Sequence, residues 1–134
     1  MNLKKNNRVL LAFIGGVLFI AILCVAYQIV FDKNTVQGEF SIEDYKQFIE
    51  EFSSDIALGS INSAKEAKRQ AATIWSSLYG TSAKYIYQPY VVYFDSSNKI
   101  WLVKGSVLFR ENGGAPYILF EQETGKVLAV WHEK

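Results

Sequence analysis

Histidine and cysteine are almost missing from this chain, with one of each in 134 residues. The cysteine, Cys24, lies inside an apolar run, so the remainder of the chain has neither a disulfide nor a thiol nucleophile. The histidine, His132, stands alone near the C-terminus, far from any other metal-ligand spacing. No His-x-x-x-His, Cys pair, phosphate-cradling glycine loop or Gly-x-Ser-x-Gly elbow occurs. The usual signatures of metal sites, nucleotide sites and hydrolases are therefore missing, and the expectation is a protein that is not an enzyme and carries no cofactor. Positive charge is not in excess either. After residue 31 there are 11 Lys and Arg against 13 Asp and Glu, a net charge of −2, which disfavours a nonspecific nucleic-acid binder.

What is abundant is apolar sequence, and it is concentrated. From Val9 to Phe31 the chain reads 23 residues without a charge, enough as a helix to cross a hydrocarbon core of about 30 Å. Gln28, its one strongly polar residue, falls in the last turn, within reach of the headgroups. Lys4, Lys5 and Arg8 precede the run, whereas Asp32 and Lys33 cancel after it, so the bias of positive charge places the N-terminus in the cytoplasm. A cleaved signal peptide normally has a shorter apolar stretch of about 7–15 residues and a small-x-small cleavage site, and no such site follows here. Leu23 stands before Cys24, where lipoprotein processing needs a small residue. The expected organisation is a cytoplasmic N-terminus (residues 1–8), a single-pass anchor in the cytoplasmic membrane (9–31), a tether (32–39), and one domain (40–134) in the periplasm or cell exterior.

In that domain Ser41 reads as an N-cap, with Phe40 and Tyr45 placed for a hydrophobic staple. Ile42, Tyr45, Phe48, Ile49, Phe52 and Ile56 then recur at helical spacing, which predicts a one-sided helix ending near Gly59. Ser63 and Glu66 form the capping box of a second helix, closed by Gly80, with the stripe Ala64, Ala67, Ala71, Ile74, Trp75 and Leu78. Beyond Gly80 the period changes. YVVYFD, KIWLVKGSVLF, PYILFEQE and KVLAVWH are rich in β-branched and aromatic residues and predict four strands in consecutive antiparallel hairpins. Asp95-Ser96-Ser97-Asn98, Gly113-Gly114 and Thr124-Gly125 supply the turns. Pro89 marks the start of the first strand, and Gly105 suggests a bulge or bend in the second. The fold class is α+β: two helices on one face of a curved antiparallel sheet, the other face open.

Glu121 and Glu123, two apart, would share a strand face, and without a third polar group they read as solvated carboxylates. Trp131 and His132 point to opposite faces of their strand, with Trp131 expected in the core. A binding patch, if present in this region, would draw on Tyr117, Glu121, Trp131 and His132, because rigid aromatic side chains often dominate interface energies. The aromatic load of KYIYQPYVVYF, IW and VLF exceeds what so small an interior accommodates, so some rings should be exposed to lipid, a pocket or a protein.

Read as a series of words, the region resembles the immunity proteins with a nuclear transport factor 2-like fold that accompany bacterial polymorphic toxins. The words are Ile74, Trp75, Tyr79 and Gly80; Pro89, Trp101 and Gly105; Gly113, Gly114, Pro116, Tyr117 and Ile118; and Gly125, Lys126, Val127 and His132. The resemblance spans about Ser63 to Lys134. It implies a cone-like sheet wrapped around helices and the neutralisation of a cognate protein toxin by direct binding, without catalysis. Two other classes stay open: an envelope scaffold or assembly factor of a secretion system, and a small-ligand-binding domain of the same cone fold.

Overall fold

The computed structural model describes residues 3–31, 36–107 and 113–133. The chain divides into two compact units, Met1–Lys33 and Asn34–Lys134. The first is a single helix, α1 (Leu3–Phe31). Its segment Asn6–Ala26 is long and apolar enough to cross a membrane, and none of it is buried. By length and composition it fits an anchor or a signal sequence.

The second unit is α+β. A 3-10 turn (Ile42–Tyr45) runs into the short helix α2 (Lys46–Phe52); α3 (Ala64–Tyr79) and α4 (Ala83–Ile86) follow. Then come β1 (Val91–Asp95), β2 (Ile100–Lys104), β3 (Pro116–Glu121) and β4 (Val127–His132). The strands form one open antiparallel sheet in the order β1-β2-β3-β4, the meander that the turn residues predict.

The capping chemistry forms as read. Ser41 Oγ accepts from the Glu43 amide at 3.3 Å, and the Phe40 and Tyr45 rings meet edge to face at 5.7 Å. Ser63 Oγ accepts from the Glu66 amide at 3.1 Å. The Glu66 carboxylate reaches back to the Asn62 amide at 2.7 Å, one residue before the cap. The Gly80 amide closes α3 on the Ser76 carbonyl.

The placement of the helices departs from expectation. They do not share a face: α3 packs on one side of the sheet and α2 on the other. Ala64, Ala67, Ala71, Ile74 and Trp75 of α3 meet Val92, Trp101, Val103, Ile118, Phe120 and Val127. Ile42, Tyr45, Phe48 and Ile49 meet Ile100, Leu102, Leu119, Ala129 and Trp131 on the opposite face. The cause is visible in β2, where Ile100, Trp101, Leu102 and Val103 are all buried in succession. A strand apolar on both faces must be covered on both. Leu78, expected in the α3 stripe, is instead exposed.

The first helix also ends sooner than its periodicity predicts, at Phe52. Ser53, Ser54 and Asp55 interrupt it, with Ser54 Oγ accepting from the Ile56 amide at 3.2 Å, a local bond that competes with helix continuation. The chain then runs extended along the β4 edge. The Val127 amide donates to the Ile56 carbonyl at 2.8 Å and the Leu58 amide to the Gly125 carbonyl at 3.1 Å. Gly125 (φ +64) admits this approach because any Cβ there would collide with the Gly59 carbonyl. At the other edge the Gln37 amide donates to the Val92 carbonyl at 2.7 Å and Gly38 bridges Tyr93. The two crossings thus cover stretches of both sheet edges.

The sheet irregularity lies in β4, not at Gly105. Leu119 pairs with Ala129 and Phe120 with Val127, which leaves Leu128 as an extra residue. Val127 therefore faces α3 while Ala129 and Trp131 face α2. β2 ends at Lys104, after which the Ser106 amide turns away to the Tyr87 carbonyl at 2.7 Å. The rest of the expected second strand, and the start of its connection to β3, fall at residues 108–112, outside the described residues.

Asp95 secures the β1–β2 turn to the start of the 3-10 turn. Its buried carboxylate accepts from the Ile42, Ser97 and Asn98 amides at 3.0–3.1 Å and from Asn98 Nδ2 at 2.9 Å. Burial alone would raise its pKa, but these donors together outweigh it and hold the carboxyl below its ordinary 3.8. A depressed folded pKa adds stability that is complete above the unfolded value and is lost as pH falls through the folded one. In urea titrations of the full chain in detergent, wild type should exceed Asp95→Asn at neutral pH, and the gap should close as the solution is acidified below 3.8.

Candidate functional site

Cross-strand pairing sets Tyr117 of β3 directly opposite Trp131 of β4. Their rings stack at 5.1 Å and 10° on the α2 face. From above, α2 contributes Phe48 and Phe52, an i, i+4 pair that one helical face presents together. Phe48 stacks on Trp131 at 4.6 Å and 17°, and Phe52 continues from Phe48 at 6.5 Å and 22°. Tyr45 braces the row, 6.1 Å from Phe48 and 5.8 Å from Trp131. Trp131 is 5 % exposed, whereas Phe52 at the far end is 36 % exposed. The row thus leads from a buried indole to an open ring.

Beside the row lies a cleft of about 460 Å³, lined by these five rings with Glu51, Glu133 and His132. It exists because α2 stops at Phe52 and leaves the end of the sheet face uncovered. Lys104 closes the row at Tyr117, its ammonium 5.0 Å from the ring centroid. A hydrogen bond to Tyr117 is the main reason that Lys104 holds its proton above the ordinary lysine range; partial burial opposes it and nearby Glu133 adds to it. Burial likewise pushes the Tyr45 phenol up.

The four residues singled out in the sequence separate into three locations. Tyr117 and Trp131 form the floor of the cleft. His132 borders the cleft, but its ring packs against Tyr79 at 4.4 Å and Tyr87 at 5.5 Å, and its Nδ1 donates to the Gly114 carbonyl at 3.1 Å. Gly114 is needed there, since a Cβ at that position would run into the Glu133 carbonyl. Glu121 lies at the opposite end of β3, four residues or about 13 Å from Tyr117, and accepts a hydrogen bond from Thr124. Glu123 is in the turn beyond β3, so the two carboxylates do not share a strand face.

Sequence reading missed the wall of the cleft. Phe48 and Phe52 were legible as one helical stripe, but a stripe reads as core, and only the break at Ser53 signals that its last ring is uncovered. The arrangement offers stacking area, two carboxylates and an ammonium. Among the described residues no group of three His, Cys, Asp or Glu converges to hold a metal.

The α+β domain with its four-stranded open antiparallel sheet is consistent with a nuclear transport factor 2-like fold. The family model for NTF2 fold immunity proteins matches residues 66–134, and the chain belongs to that family, which is generally non-catalytic. No curated protein and no solved structure matches the chain. The matched span holds Tyr117, Trp131 and His132, while Tyr45, Phe48 and Phe52 lie before it.

The two ends of the ring row should respond differently to truncation. Trp131→Ala removes a buried ring stacked on two others and should cost about 3–5 kcal/mol; Phe52→Ala removes an exposed ring and should cost less than about 1 kcal/mol. Denaturant midpoints of the two variants check this.

Proposed function

We propose that this chain is a membrane-anchored immunity protein that binds and neutralises a cognate bacterial toxin through the aromatic cleft on the α2 face. The observation that carries the reading is the ring row Tyr117, Trp131, Phe48 and Phe52, which ends open beside a cleft in a domain of the immunity family. Stacked rings already fixed by packing lose little entropy on binding, which is why such groups act as interface anchors. The floor of the cleft falls inside the family match and its helical wall before it, so the wall is the part suited to distinguishing one toxin from another.

The apolar helix supports anchoring. Asn6–Ala26 buries nothing within the structure, and the positive residues Lys4, Lys5 and Arg8 favour a cytoplasmic N-terminus with the domain on the far side of the membrane. Held there, the domain meets an incoming effector at high local concentration. Neutralisation proceeds by occlusion.

The test is co-expression with toxin candidates encoded by the genes adjacent to this one. Wild type should restore growth, and Phe52→Ala or Tyr117→Ala should weaken toxin binding by about 10-fold or more while the protein stays folded. Full protection and unchanged affinity in both variants would move the toxin site elsewhere on the domain.

A further inference from the structure

We propose that the end of the domain formed by the α3–α4 junction docks on the bilayer interface through Leu78, Tyr79, Tyr85 and Ile86, with Lys84 at the headgroups. The proposal rests on the anchoring reading above and uses the α3 side of the domain, which adjoins the α2-face cleft where Tyr79 packs on His132. Seven large apolar side chains are exposed in the described part of this domain, and these four are among them, at 52, 39, 67 and 43 %. They fall within nine residues of sequence. A fifth, Val36, immediately precedes the point where the chain joins the sheet.

The joining point lies at the same end of the sheet as these side chains. The Gln37 amide donates to the Val92 carbonyl, at the beginning of β1, and α4 leads into that same beginning through Tyr87 and Tyr90. Tyr90 Oη donates to the Lys84 carbonyl at 2.6 Å, and the Ser106 hydroxyl to the Pro89 carbonyl at 2.6 Å, so this end is tied together. α1 ends at Phe31. Whatever path the next six residues take, they reach at most about 21 Å. An anchored α1 therefore keeps the start of β1 close to the headgroups, and with it the exposed apolar group.

The chemistry suits lipid. Tyrosine places an apolar ring and a polar hydroxyl across the interface, and aliphatic side chains beside it enter the upper acyl region. Lys84 Nζ sits 4.8 Å over the Tyr85 ring, with a stem long enough to extend to lipid phosphates while the ring inserts. The opposite end is built differently. Its turns are Ser96, Ser97, Asn98 and Lys99, and Gln122, Glu123 and Thr124, and among the described residues Ile56, beside Val127, is the one exposed large apolar side chain there.

The experiment uses the full chain with Cys24→Ser, which removes the only cysteine. Ile86→Cys, Tyr85→Cys and, at the far end, Ser97→Cys each carry one fluorophore, in vesicles of phosphatidylethanolamine and phosphatidylglycerol. A nitroxide placed just below the lipid headgroups should quench the labels at 85 and 86, while aqueous iodide should quench only the label at 97. Equal iodide quenching at all three positions overturns the proposal. Shielding at 85 and 86 without quenching by the lipid nitroxide assigns the surface to a protein contact and overturns it too. Failure of the chain to float with vesicles removes the anchor itself, and the docking with it.

Discussion

A sheet that is apolar on both faces cannot leave either face to water, and that constraint organises this domain. The run Ile100-Trp101-Leu102-Val103 sends alternate side chains to opposite sides, and all four are buried. Burying each such side chain contributes about 1.5–3 kcal/mol. Covering both sides requires the chain to pass over the sheet twice, so the 3-10 turn and α2 cross one face, the segment 56–58 runs down the β4 edge, and α3 crosses the other. The β4 bulge serves the same demand, because it sends Val127 and Ala129 to different faces although they are two residues apart.

The two covers are unequal, and the inequality makes the site. α3 has 16 residues and places Trp75 fully inside, against Tyr87 and Tyr90 at 6.3 and 5.1 Å. α2 has seven. A helix of that length rises about 10 Å, too little to span the sheet face, and the remainder is finished by side chains alone. Phe48, Trp131 and Tyr117 stack to seal it, and Phe52 is left with one side open. The cleft is thus the place where core packing runs out before the sheet does.

Local chemistry was readable in the chain; long-range assignment was not. Ser63 with Glu66, Gly80, the Asp95 turn and the four strand words each act within a few residues, and each forms. The helix after Ser41 has a sound periodicity through Ile56, yet hydrogen bonds to Val127 and Gly125, 71 and 67 residues away in sequence, hold Ile56 and Leu58 extended. No local pattern reports such a bond. The two-faced sheet was signalled by the unbroken apolar run of β2, a signal that alternation in the other strands conceals. Of the candidate patch, Tyr117 and Trp131 come together because strand register is set by turns, while His132 turns to Tyr79 and Tyr87 by the strict alternation of the strand.

Toxin contact at the unfinished α2 face, the function proposed for it, is tested most directly by amide hydrogen exchange of the full chain, with and without the toxin, read residue by residue. Slowed exchange over residues 45–52, at Tyr117 and across 131–133 is the predicted result. Slowing confined to α3, or to the turns at residues 96–99 and 122–125, would contradict it.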